Sequence, residues 1–225
     1  MTFSIVARIA DGHTMGIAIA SSSPAVAARC AHARAAAGAV ATQNLTDPAL
    51  GPLILDALAH GATAEAALAQ ALRTTPFGAY RQLAVIGRRG PPAIHSGERA
   101  LGTAAAAHST HAAAAGNLLA HRGVPPAMLE TFESTTGDLG ARLLRALRAG
   151  LDAGGEAAAV HSAGLLIVRD VSWPIADLRV DWTEEDPVAQ LSRIWERYAP
   201  QIEDYVRRAV DPAHAPGFEV AGGAP

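Results

Sequence analysis

Lysine is missing altogether: all 18 basic residues of this 225-residue chain are arginine. A lysine Schiff base and a lysine general base are therefore excluded. Cysteine is nearly missing too. Cys30 alone forms neither an internal disulfide nor a cysteine-rich zinc site, so a reducing compartment is the natural setting. Excess positive charge is the third absence. A net charge of −3 offers no basic face to replace the counterions of a nucleic acid. There is no basic amphipathic helix and no run of eighteen apolar residues to suit a membrane. The opening Met1-Thr2-Phe3-Ser4-Ile5-Val6-Ala7-Arg8 lacks the basic start and long apolar stretch of a secretory leader. A soluble, cytoplasmic protein is expected, with neither nucleic acid nor membrane as a partner.

What is present is apolar: 50% of the residues, enough to build a core without disulfides or a structural metal. Apolar runs at Phe3–Ile9 and Met15–Ala20 flank the turn pair Asp11-Gly12 and predict a hairpin of strands buried on both faces. A third strand is expected over Gly38–Gln43. Asp47-Pro48 reads as a helix start, with Leu53, Ile54, Leu55 and Leu58 as its buried face and Gly61 as its stop. A second helix is expected over Thr63–Leu72. Strands follow at Gln82–Gly87, Ala93–Ser96 and His111–Asn117, then helices at Pro125–Phe132 and Leu139–Leu151. Two strands, Ala163–Val168 and Leu178–Trp182, precede a helix opened by Asp186-Pro187. That helix carries Val188, Leu191, Ile194 and Trp195 on one side, and Pro200 breaks or kinks it. Grouped strands between paired helices predict an α/β protein of the α+β type, with stacked sheets covered by helices. One domain is expected over residues 1–210, including the helix from about 187, with a flexible tail over 211–225.

Several segments carry a family resemblance. Met1-Thr2-Phe3-Ser4-Ile5-Val6-Ala7-Arg8, Gly16-Ile17-Ala18-Ile19-Ala20-Ser21, Gly38-Ala39-Val40-Ala41-Thr42-Gln43, Gly116-Asn117-Leu118-Leu119-Ala120 and Asp177-Leu178-Arg179-Val180-Asp181 are the main ones. In that order they resemble a bacterial family known as domain of unknown function 1028, over roughly residues 1–195. The resemblance implies a four-layer αββα sandwich like that of the N-terminal nucleophile (Ntn) hydrolases. In proteasome-type subunits of that group a terminal threonine opens the first strand, and a polar residue six positions after the glycine of the second strand lies near it. Counting from Gly16 gives Ser22, or Ser21 if the register slips by one. The chain departs from the family at Trp182-Thr183, where an acidic residue and a histidine are expected. It departs again at Glu156-Ala157-Ala158-Ala159-Val160-His161, where the family has an acidic residue and arginines.

Thr2 is the sharpest candidate. Methionine removal would leave it a free α-amine, whose pKa of about 8 suits it to take the hydroxyl proton. An ordinary strand residue is the alternative. Ser21, Ser22 and Ser23 could orient that amine or simply make a turn. Gln43, Asn44 and Asn117 end strands, where side-chain amides can donate to an oxyanion. Arg81 can clamp a carboxylate, and His161 is an isolated general-base or substrate-binding candidate. Nine histidines without a His-Glu-x-x-His element or converging spacing predict no metal site, and no cofactor is expected. Catalytic roles thus fall to Thr2, Ser22 and Asn117, and substrate contacts to Ser21, Gln43, Asn44, Arg81 and His161. The reaction expected is hydrolysis of a small amide, imide or cyclic amide; a non-catalytic binder of small molecules on the same scaffold is the alternative. The apolar stripe of the last helix is expected to serve as a homo-oligomer contact.

Overall fold

The computed structural model describes residues 1–217. The hairpin forms as β1 (Thr2–Arg8) and β2 (Met15–Ser21), and all fourteen positions are buried. Gly12 makes the turn possible: its φ is +71°, and a Cβ there would stand 2.4 Å from the Arg88 carbonyl oxygen. Next come α1 (Val26–Cys30), β3 (Ala31–Arg34) and β4 (Gly38–Asn44), then helices α2 (Leu50–Ala59) and α3 (Ala64–Arg73). Strands β5 (Arg81–Gly87), β6 (Ala93–Ser96), β7 (Ala105–His108) and β8 (Ala112–Asn117) lead to α4 (Val124–Ser134) and α5 (Leu139–Asp152). The described chain closes with β9 (Ser162–Val168), β10 (Ala176–Val180), α6 (Pro187–Tyr198) and α7 (Ile202–Val210).

Every strand pairing is antiparallel. One sheet runs β10-β9-β2-β1-β8-β7 and the other β3-β4-β5-β6. Side-chain alternation then builds the layers. Phe3, Ile5, Ala18 and Ile167 face α4, α5 and α6, where Met128, Phe132, Leu143, Leu147, Leu191 and Trp195 cover them. Val40, Leu83 and Val85 of the small sheet face Leu50, Ile54, Leu55 and Leu68 of α2 and α3. The alternate residues, among them Val6, Ile17, Ile19, Ala41, Ala84, Ile86 and Ala113, meet between the sheets. The result is a four-layer αββα sandwich with the hairpin in an inner layer. Each large side chain buried this way contributes about 1.5–3 kcal/mol.

Local details differ from the sequence expectation where the pattern is weak. Asp47 does not cap α2; it lies three residues before the helix begins and accepts from Ala49 N–H at 3.1 Å, and Leu53 is 44% exposed, with Leu50 in its place on the buried face. Asp186 does cap α6, accepting from Val188 and Ala189 N–H at 2.9 Å each, but Ile194 falls off the buried stripe. At Pro200 a 3-10 turn, Ala199–Gln201, separates α6 from α7. Strand β10 ends at Val180, leaving Trp182 beyond it and exposed. The expected tail lies in part outside the described residues; within them, Pro212–His214 forms one 3-10 turn. Among the described residues no helix is long and apolar enough to cross a membrane.

Candidate active site at the sheet edge

Alternation that sends Val6, Ile17 and Ala115 between the sheets also sends Thr2, Ser4, Ser21, Asn117 and Ser162 there. Register aligns four of them. Asn117 pairs with Thr2, and Ser21 pairs with Ser162. Thr2 and Ser21 lie one step beyond the Phe3–Ala20 pair, their hydroxyl oxygens 3.5 Å apart. Asn117, Thr2, Ser21 and Ser162 thus form one lateral row across β8, β1, β2 and β9. Gln43, Gln82 and Ser96 form a facing row across β4, β5 and β6.

Hydrogen bonds tie the rows together and fix their polarity. Gln82 Nε2 donates to the Gly116 carbonyl at 3.0 Å and to Ser96 Oγ at 2.9 Å. A carbonyl only accepts, so Gln82 Oε1 must be the end turned to Gln43 and Asn117. It accepts from Gln43 Nε2 at 2.8 Å and Asn117 Nδ2 at 3.2 Å, while Gln43 Oε1 accepts from Ser4 Oγ at 2.7 Å. One N–H of each of the Gln43 and Asn117 amides is therefore committed to the framework. Asn117 Oδ1 is left over: it is buried in a fully buried residue with no partner. Such an orphan acceptor costs about 1–3 kcal/mol unless something donates to it.

Thr2 itself is 5% exposed. Its hydroxyl reaches the Met1 carbonyl, which also accepts from Ser21 Oγ; Ser21 Oγ accepts in turn from Ser23 N–H at 3.0 Å. Met1, half-buried, stands over the threonine. A more marked cleft, of about 350 Å³, lies at the other end of the hairpin, where Ile9, Thr14 and Trp195 help to line it.

One acidic group joins the row. Glu156 follows Gly154 and Gly155, whose φ values of +107° and +53° bring the chain back to the sheet edge. Its carboxylate accepts from Ser22 N–H at 3.1 and 3.2 Å and is buried. Burial pushes its pKa up to about 7, against the opposing pull of the Ser22 contacts, the N-terminal ammonium and His161. Ser22 therefore touches the site through Glu156, by both its side chain and its backbone N–H, and Ser21 is the serine beside Thr2.

The other sequence candidates lie elsewhere. Asn44 and Arg81 pair one step beyond Gln43 and Gln82, and their side chains turn to other partners. Asn44 (φ +70°) donates to the Tyr80 carbonyl at 2.5 Å and accepts from Leu101 N–H at 3.0 Å. Arg81 donates to the Leu45 carbonyl and stands 3.7 Å from Asp47. His161 is tied to the row by its backbone N–H, which donates to the Ser21 carbonyl at 2.9 Å, and by the pull of its charge on Glu156. Its ring Nδ1 faces the Thr183 carbonyl at 2.8 Å and its ring face stacks on Trp182. At the far end of the intersheet layer, Arg8 is buried against the Gly87, Gly90 and Thr110 carbonyls at 2.7, 2.7 and 2.8 Å, and burial lowers its pKa. Sequence reasoning missed Ser4, Gln82, Ser162 and Glu156 as members of the cluster. Among the described residues no three His, Cys, Asp or Glu side chains gather as a metal ion requires.

A sequence model described as a family of unknown function, DUF1028, matches residues 2–191. The crystal structure of protein SPO2555 from Silicibacter pomeroyi, which carries the same family model, superposes with a TM-score of 0.84. It is 27% identical, over 92% of this chain and 90% of that one. Anbu (ancestral beta-subunit) from Yersinia bercovieri gives a TM-score of 0.44 at 14% identity, over 97% of this chain and 100% of that one, a likeness too slight to speak to chemistry. No curated protein matches.

Proposed function

We propose that this chain, which belongs to the family of unknown function DUF1028, hydrolyses the C–N bond of a small amide, imide or cyclic amide with Thr2 as nucleophile. The observation that carries the reading is the row itself: the Thr2 hydroxyl and the Ser21 hydroxyl meet, 3.5 Å apart, at the edge of the intersheet layer of an αββα sandwich. Removal of Met1 uncovers Thr2 and gives it an α-amine. That amine takes the proton as the Thr2 oxygen attacks the acyl carbon, and passes it to the leaving nitrogen as the C–N bond breaks. Water then cleaves the ester on Thr2, its hydroxyl ending on the acyl carbon. Ser21 Oγ, which already donates to a carbonyl oxygen at this spot, stabilises the charge developing on the carbonyl. Neither step requires a metal or a cofactor. A cytoplasmic setting belongs to the same reading, since Cys30 is a free, buried thiol.

A binding role without catalysis is the second reading, favoured by one observation: with Met1 in place the Thr2 hydroxyl is turned to the Met1 carbonyl and closed off. Intact mass separates the two, because loss of one methionine is required for catalysis. The activity test is a panel of small amides, imides and lactams, assayed with the protein beginning at Thr2, with Thr2→Ser, with Thr2→Ala and with an N-terminally extended form. Thr2→Ser should retain some turnover; Thr2→Ala and the extended form should have none. Full activity in Thr2→Ala would end the proposal.

A further inference from the structure

Trp182 is a large ring that the fold leaves 49% exposed and yet holds in place. One face lies on the His161 imidazole, with ring centroids 4.3 Å apart and planes 14° from parallel. Its Nε1–H donates to the Glu184 carboxylate at 3.0 Å. His161 is fixed in turn. A carbonyl only accepts, so Nδ1 carries the ring proton and donates it to the Thr183 carbonyl at 2.8 Å, while the Thr183 N–H donates to the His161 carbonyl at 2.9 Å. Stacking covers one face of the indole, and the half of the residue that stays exposed is the other. A backed, pinned ring open on one side needs little ordering when a second flat group stacks on it.

This ledge adjoins the row. Val180 pairs with Ala163, and two residues beyond Val180 the chain reaches Trp182, at the sheet edge where Ser162 stands. His161 immediately precedes Ser162, its N–H donates to the Ser21 carbonyl at 2.9 Å, and the Ser21 hydroxyl is 3.5 Å from that of Thr2.

We propose that Trp182 determines specificity: its open face stacks on a flat aromatic group of the substrate while the substrate's amide lies at Thr2. This rests on the amide-hydrolase reading and deepens it, naming arylalkyl amides as the substrate class. Trp182 acts away from the scissile bond, so it governs binding and leaves the chemistry to Thr2 and Ser21.

The test uses the full chain beginning at Thr2, verified by intact mass. The probes are primary amides of straight-chain acids ending in a phenyl ring, with one, two or three methylenes before the carbonyl, each beside its cyclohexyl counterpart. Stacking favours the flat ring, whereas plain apolar contact favours the larger, more apolar cyclohexyl group. At the best chain length the phenyl amide should show a KM about threefold to tenfold lower with kcat little changed, and Trp182→Leu should abolish that preference. Equal or reversed KM values at every length on the unaltered protein would overturn the proposal, with no dependence on how the variant folds. A phenyl preference that persists in Trp182→Leu would overturn it too. If no probe is cleaved, the hydrolase reading fails, and calorimetric binding of the same pairs decides the remainder. Tighter binding of the phenyl member, lost in Trp182→Leu, upholds the ledge; equal binding, a preference that survives the substitution, or no binding overturns it.

Discussion

Replacing Glu156 by Gln removes a buried acid while keeping an oxygen to accept from Ser22 N–H, so the change isolates the energetics of ionisation. In the unfolded chain the carboxyl ionises near its ordinary 4.5; in the fold burial holds it protonated up to about 7. Between these values the folded chain binds more protons than the unfolded one, so stability falls as pH rises through the window and levels off above it. At 1.36 kcal/mol per pH unit the loss amounts to about 3 kcal/mol. The glutamine variant has no such loss. It should match the wild type near pH 4.5 and exceed it by up to about 3 kcal/mol at pH 8, which in a chain of this length is a melting-temperature gain of several degrees. The assay is a set of urea or thermal melts from pH 4.5 to 8, run on proteins with the same verified N-terminus, because the terminal ammonium pulls the Glu156 pKa down. Parallel stability curves would show that the carboxyl ionises normally in the fold. A variant weaker than wild type at pH 8 would show that the charged form is stabilised by its partners more than burial penalises it. Either result would sink the reasoning.

Gly140→Ala in α5 reverses the usual helix preference. The added methyl would stand 2.3 Å from the Trp195 ring, so a change worth up to about 1 kcal/mol in an open helix should instead destabilise by about 1–3 kcal/mol in denaturant melts. Gln82→Leu strips partners from Gln43, Asn117, Ser96 and the Gly116 carbonyl, and should cost about 3 kcal/mol or more by the same measurement. Arg81→Ala should leave turnover on the amide panel within about twofold, since its guanidinium lies across the small sheet from Thr2.

The layers were legible because strands buried on both faces write themselves as unbroken apolar runs. Phe3–Ile9 and Met15–Ala20 are such runs, and they became β1 and β2 of the inner layer. Segments whose residues say little were missed. Val26–Cys30, Ala31–Arg34 and Ala105–His108 are short and alanine-rich, with neither caps nor a clear period, and their conformation is set by neighbouring strands. Asp47 shows the limit of a local rule. Its side chain does what an N-cap does, accepting a backbone N–H two residues on, but in a turn that precedes the helix.

The site was legible in a different way. Thr2, Ser21, Gln43 and Asn117 were named one by one as strand ends, and strand ends on one edge do meet. Parity would have separated them from Asn44 and Arg81. In strands whose other residues alternate between two apolar layers, a polar side chain two residues from another shares its face, so Thr2 implies Ser4, and Gln43 cannot share a face with Asn44. Which of two adjacent serines stands beside Thr2 depends on a single residue of register, and the Phe3–Ala20 pairing chooses Ser21. Glu156 lay beyond any such rule. It belongs to no strand, and only the double-glycine turn after α5 returns it to the sheet edge, through a contact 134 residues apart in sequence. The charge that sets the electrostatics of this edge thus comes from a loop, while the strands supply its neutral donors and acceptors. That division lets the charge at residue 156 be changed without disturbing the framework of Gln43, Gln82 and Asn117, whose hydrogen bonds do not involve the loop.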